Sequence, residues 1–176
     1  MDELKEKLDR FRVAKYRFFL EAEADIKLDK FAGTSLRKVF VPIFKQISCL
    51  NEEGPCENCI KEKECPFFIS IESGSSEPDP NLKRFQTPPK PFIFEPALQR
   101  RTFYRRNEEF TLDLVLIGKS IDFLPQFVAS LRCVGETGIG PNRGRFTLKN
   151  IVPFDLINNS ISGNYVWNNK TSNAED

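Results

Sequence analysis

Residues 110–134 read FTLDLVLIGKSIDFLPQFVASLRCV, and two apolar periods meet inside them. Phe110, Leu112, Leu114 and Leu116 alternate with Thr111, Asp113, Val115 and Ile117, the pattern of a strand buried on both faces near its end. Beyond Gly118 the spacing lengthens. Ile121, Leu124, Phe127, Val128 and Leu131 form the stripe of an amphipathic helix. Ser120 is its expected cap, and Pro125 falls in the early turns, where a proline does little harm. Gly135 is the expected stop.

The same two periods recur on either side. Ala14, Tyr16, Phe18, Leu20, Ala22 and Ala24 alternate with Lys15, Arg17, Phe19, Glu21 and Glu23, a long half-buried strand with a charged face. Gly33-Thr34-Ser35 closes the extended run and supplies a cap. Leu36, Val39, Phe40, Ile43, Phe44 and Ile47 then make a helical stripe, which Pro42 is expected to kink. CPFFISIES at 65–73 reads as a short strand, and 73–91 as a Pro- and Ser-rich linker.

Strands are thus expected near 12–24, 91–97, 109–118 and 145–152, with helices near 34–48 and 120–134. That βαββαβ order is an α+β, ferredoxin-like sandwich, an antiparallel sheet with both helices on one face. Residues 1–13 are a leader, 14–155 the domain, 49–66 a cysteine-rich insertion, and 156–176 a tail that can begin a second domain.

Composition narrows the function classes. A chain of 176 residues with 40% hydrophobic content can bury one core. Lys+Arg number 26 against 25 Asp+Glu, so no global basic coat exists, although local patches do. His is absent, which excludes imidazole-based catalysis and His-ligated zinc. No run approaches the length of a membrane span, and the charged N-terminus is no secretory signal. The expected setting is the cytoplasm, with reduced cysteines unless they hold a metal.

Cys49, Cys56, Cys59 and Cys65 are spaced C-x6-C-x2-C-x5-C. The middle pair can share an ion on one tight turn, and four thiolates suit zinc as a structural staple, or an iron–sulfur cluster. Eight acids against two lysines over 51–79 argue against a finger that reads nucleic acid. The alternative is reduced, buried thiols. Cys133 reads as a core thiol.

Residues 135–146, GETGIGPNRGRF, form a glycine-rich loop between helix and strand. The loop lacks the Lys-Ser/Thr end and the strand–loop–helix order of a P-loop. Its glycines allow backbone amides to approach an anion, and Arg143 and Arg145 suit phosphate. The competing reading is a helix terminus and a turn. Residues 82–106 carry seven Lys/Arg against Glu95 alone, interleaved with Phe85, Phe92, Phe94, Phe103 and Tyr104. Charge for phosphate and rings for base stacking suit single-stranded RNA, while a solvated hairpin with core aromatics explains the same residues. Lys15, Arg17 and Phe19 share the sheet face opposite the helices, which RNA-recognition sandwiches turn toward RNA.

From about Tyr16 onward, GTSLRKVF, the cysteine segment, PKPFIFEP, EFTLDLVLIGKSIDFLPQFVASL and GETGIGPNRGRF resemble the CRISPR-associated repeat-processing endoribonucleases of the RAMP superfamily. The last two motifs carry most of the likeness, which covers residues 14–155. The resemblance implies ferredoxin-like folds, often two in tandem. It implies metal-independent cleavage of CRISPR repeat transcripts through the substrate's 2′-hydroxyl. CRISPR repeat RNA and other CRISPR-associated proteins are the implied partners, and Gly138, Gly140, Arg143, Gly144 and Arg145 the implied RNA contacts. Two features depart from the pattern: many members use a His, and the chain stops soon after the loop and strand. Lys119, Tyr104 and Tyr165 are available for catalysis, but no motif selects one. Three readings stand: the N-terminal part of such an endoribonuclease, a non-catalytic RAMP subunit of an effector complex, or a metal-stapled protein-interaction domain.

Overall fold

The alternation beginning at Ala14 builds the central strand of the sheet. In a computed structural model that describes residues 11–28, 32–49, 56, 59, 64–72, 89–96 and 101–168, β1 spans Val13–Ala22. Its even-numbered side chains Phe18, Leu20 and Ala22 are buried, and its odd-numbered ones face outward in the opposite direction. A two-residue β2, Ile26–Lys27, follows. Helix α1 spans Ala32–Ser48, so Gly33-Thr34-Ser35 falls within its first turn and does not precede it. The helix continues through Pro42.

Strands β3 (Phe92–Pro96), β4 (Phe103–Tyr104) and β5 (Glu109–Ile117) come next. A 3₁₀ segment, Gly118–Phe123, leads into α2, Leu124–Thr137. Strand β6, Phe146–Asp155, is longer than its periodicity suggested. The tail adds β7, Ser160–Ile161, and β8, Trp167–Asn168, both paired with β6. The main sheet runs β3-β5-β1-β6, every pairing antiparallel. This is the expected α+β ferredoxin-like arrangement.

Both helices pack on the face bearing Phe18 and Leu20. Much of the chain's Phe content goes to this layer. Phe44 and Phe127 have ring centroids 4.6 Å apart, Phe40 and Phe94 4.8 Å, and Phe92 and Phe127 5.3 Å. Each such pair adds about 0.5–1.5 kcal/mol beyond the area it buries.

Three local expectations change. Residues 66–72 are helical, because Phe67, Ser70 and Ile71 point one way at a three-to-four-residue spacing and not a two-residue one. Ser120 does not cap α2: its hydroxyl lies buried, 3.0 Å from that of Ser70, and the α-helix proper starts only beside Pro125. Helix α2 also runs past Gly135. A side chain there would meet the Phe146 carbonyl oxygen at 2.2 Å, so Gly135 serves the close approach of β6, and Gly138 takes the C-cap with φ +85°.

Candidate nucleic-acid interface

Three turns meet where β1 ends. At 105–108 the chain reverses between β4 and β5, with Asn107 at φ +61°. The Asn107 N–H donates to the Ala22 carbonyl at 2.7 Å, and the Ala22 N–H donates to the Glu108 carbonyl at 3.0 Å. The Glu23 N–H donates to the Arg145 carbonyl at 2.9 Å, which joins the glycine-rich loop to the same place. Asp25 ties the turns together. Its carboxylate accepts the Arg106 N–H at 3.0 Å, and its carbonyl accepts the Asn142 amide at 2.6 Å. Asn142 Oδ1 in turn accepts the Lys27 N–H at 3.0 Å.

The glycines make this docking possible. At Gly140, with φ +73°, a Cβ would lie 1.8 Å from the Lys27 carbonyl oxygen. At Gly144 it would lie 2.7 Å from the Asp25 carbonyl oxygen. The Gly138 amide donates to Val134 and the Gly144 amide to Ile139, so these two amides close the loop on itself. What the loop turns outward is side chains: Arg143 and Arg145 are both exposed.

The result is a basic edge assembled from separate parts of the chain. Lys27, Arg101, Arg105, Arg106, Arg143 and Arg145 are all exposed. Arg101 pairs with Glu108 at 2.6 Å. The Arg105 backbone N–H and the Arg101 side chain hold the Glu108 carboxyl below its ordinary range. Arg145 lies 3.9 Å from Glu23, whose carboxylate also accepts the Thr147 hydroxyl. Among the described residues, Lys27, Arg105, Arg106 and Arg143 have no ion-pair partner.

The two stretches read separately from sequence therefore meet at one residue: the 101–106 end of the basic stretch and the loop at 138–145 both bond to Asp25. Lys83, Arg84, Phe85 and Arg100 lie outside the described residues. Phe92 and Tyr104 belong to the core, and Phe94 packs against it, so these rings are not surface platforms. Sequence reasoning missed Asp25, Lys27 and Asn142. The pairing that matters spans 117 residues and leaves no local pattern.

The outer sheet face differs from what its cations suggested. Arg17 makes two hydrogen bonds to Asp113, at 2.7 and 2.8 Å. Lys15 reaches Glu95 at 2.7 Å and Asp113 at 3.1 Å. The Arg17 guanidinium also lies over the Phe154 ring, 4.1 Å from its centroid. Burial alone would raise the pKa of Asp113, but its bonds to Arg17 and Lys15 outweigh burial and hold it below the ordinary carboxylate value. Burial would lower Lys15, and its bonds to Glu95 and Asp113 lift it instead. These cations are engaged within the sheet, so the exposed ones on the edge are better placed to meet an anion.

Cys49 follows the end of α1, and Cys65 precedes the helical segment at 66–72. The Cys59 N–H donates to the Cys56 carbonyl at 3.2 Å, a turn of the kind a C-x2-C pair needs. Burial raises the Cys56 thiol, with further upward contributions from Glu72, Cys49 and Cys65. The donor chemistry suits zinc. As placed, no set of three or more His, Cys, Asp or Glu among the described residues gathers closely enough to hold an ion.

Tyr104 is buried and stacked on Phe110 at 4.5 Å, and burial raises its pKa, which suits no general base. Lys119 sits past Ile117, the partner of Val13, at the opposite end of β1 from the glycine-rich loop. Tyr165 lies exposed ahead of β8. These three do not converge. No helix among the described residues is long and apolar enough to cross a membrane.

No curated protein matches the sequence. Among solved structures, a chain in the crystal structure of the Csm3–Csm4 subcomplex of the type III-A CRISPR-Cas interference complex superimposes with a TM-score of 0.53. It is 14% identical, and the match covers 93% of this chain and 94% of that one, a likeness of fold. A family model, AF_1859_N, described as an N-terminal domain, matches residues 11–176. From the first residue of the described fold to the last residue of the sequence, the chain belongs to the AF_1859_N family.

Proposed function

We propose that this chain is a CRISPR-associated RNA-binding module of the RAMP type, which holds RNA along the basic edge beside the glycine-rich loop. One observation carries the reading: Lys27 of β2, Arg105 and Arg106 of one turn, and Arg143 and Arg145 of the glycine-rich loop are brought together and left exposed. Phosphate neutralisation by such a cluster is sequence-independent and supplies most of the affinity of an RNA-binding surface. The fold shared with the Csm3–Csm4 chain supports the reading, as does the motif resemblance to repeat-processing endoribonucleases. CRISPR repeat RNA is the proposed ligand, with other CRISPR-associated proteins as partners. Gly140 and Gly144 serve the site by docking the loop, Gly138 by letting it turn back on itself, and Arg143 and Arg145 by facing the phosphates.

The finer question is whether the module cuts. Repeat processing is what the resemblance implies. The absence of His and the separation of Tyr104, Lys119 and Tyr165 favour a holding role for these residues, as in a non-catalytic subunit. The test is RNA binding by the Arg143→Ala/Arg145→Ala double variant. Its affinity for a repeat RNA should fall, and the slope of log affinity against log salt should flatten by about one to two. Wild-type affinity and slope in that variant would sink the reading. Brisk, site-specific cleavage by the unaltered chain would overturn the holding role.

A further inference from the structure

Among the described residues, Phe103 is the ring of the basic stretch that the fold leaves outside. It is 38% exposed, whereas its neighbour Tyr104 is 6% exposed and Ile26 opposite Tyr104 is fully buried. Alternation along these two short strands puts Ile26 and Tyr104 inward. It puts Phe103 and its register partner Lys27 outward together. A shallow concavity surrounds the ring, lined besides it by Arg101, Thr102, Arg105, Arg106, Asn107 and the single acid Glu108. The Arg101 guanidinium is fixed between Glu108, at 2.6 Å, and the Tyr104 ring, 5.1 Å from its centroid. Arg105 and Arg106 are exposed, with no ion pair among the described residues.

An apolar ring set among cations in a concavity fits a ligand that is flat and apolar on one face and anionic at its rim. A nucleotide has both properties. The concavity also continues the basic edge, because Gly140 seats the glycine-rich loop against the backbone of Lys27. Bases in a duplex stack on one another and present only their edges, so the exposed face of a base belongs to a single strand. We propose that Phe103 is a stacking platform for one unpaired base of a single-stranded RNA, with Lys27 and the Arg105–Arg106 pair taking the flanking phosphates. The proposal rests on the RNA-binding reading and adds to it the strandedness of the ligand and the residue that senses it.

The full chain would be titrated with a short single-stranded oligoribonucleotide carrying one 2-aminopurine, and with a blunt duplex of the same sequence. Phe103→Ala should weaken single-strand binding about tenfold, leave the salt slope unchanged and leave duplex binding within about twofold. Phe103→Trp should retain the affinity and the quenching of 2-aminopurine that Phe103→Ala loses. Circular dichroism of each variant checks the fold. Unchanged single-strand affinity in Phe103→Ala, with a clear loss in Arg143→Ala/Arg145→Ala, overturns the platform and leaves the basic edge standing. Absence of RNA binding by the unaltered chain overturns both.

Discussion

Arg17 and Asp113 stand directly opposite each other on β1 and β5 and close a two-pronged pair on the outer face of the sheet. Lys15 approaches the same carboxylate at 3.1 Å, so Asp113 anchors two cations. Asp113→Asn should cost about 2–4 kcal/mol at neutral pH, because it leaves Arg17 without its carboxylate and Lys15 with Glu95 alone.

The pH dependence follows from the directions of the shifts. Asp113 titrates lower in the fold than when unfolded, so its contribution is present at neutral pH and is lost as pH falls through its folded value, below about 4. Lys15 titrates higher in the fold, so its contribution is present below about pH 10.5 and is lost as pH rises past its folded value. Urea midpoints measured from pH 2 to 11 should fall off at both ends. Asp113→Asn should flatten the acid limb, and an acid limb identical to wild type would refute this account.

Gly140→Ala tests whether the loop must sit on β2. The new Cβ would collide with the Lys27 carbonyl oxygen, and φ is +73°. The variant should lose at least about 2 kcal/mol and should bind RNA more weakly although every arginine remains. Gly118→Ala is the control: φ is +59° there, but nothing lies within 4 Å of the added carbon. It should cost about 1 kcal/mol and leave RNA affinity alone. Equal RNA affinity in both variants would detach the loop from binding.

The buried Ser70 and Ser120 hydroxyls satisfy each other at 3.0 Å and tie the segment after the cysteines to the turn before α2. Either single change to Ala leaves one hydroxyl buried without its partner and should cost about 1–3 kcal/mol. The double Ala variant should cost less than the sum of the singles. Strict additivity in thermal unfolding would mean that the two side chains do not cooperate.

We propose that Cys49, Cys56, Cys59 and Cys65 take up zinc by drawing closer than they lie here. Protein purified under reducing conditions should carry about one metal per chain, and a strong chelator should remove it and lower the melting temperature. Cys56→Ser and Cys59→Ser should each abolish the uptake. Metal-free protein that gains no stability from added zinc would leave the four as thiols.

The long elements were legible because each shows its period over several repeats: two in β1 and β5, between three and four in α1 and α2. Phe67 to Ile71 is too short a run for its period to show, and its dense apolar residues read as a strand although they coil. Gly135 carried an ordinary stop signal, but its role is set by Phe146, which arrives from the following strand. The loop and the basic stretch were each visible as residue types. Their union through Asp25 and Asn142 was not, because composition carries no distances. The same lack hid the pairing of Arg17: alternation placed it on the outer face, and only the register of β1 against β5 brought it to Asp113.

The position of β1 at the centre of the sheet sets the order in which the protein can be made. As the chain leaves the ribosome, β1 finds its partners 96 residues later, where Arg17 meets Asp113, and 124 residues later, where Ala22 meets Phe146. At roughly 5–20 residues per second, Phe18 and Leu20 wait on the order of ten seconds with neither edge of their strand paired. The turns of the basic edge join only when the chain near Asn142 and Arg145 has emerged and folded back. A nascent chain therefore exposes the apolar side of β1 well before its basic edge is assembled.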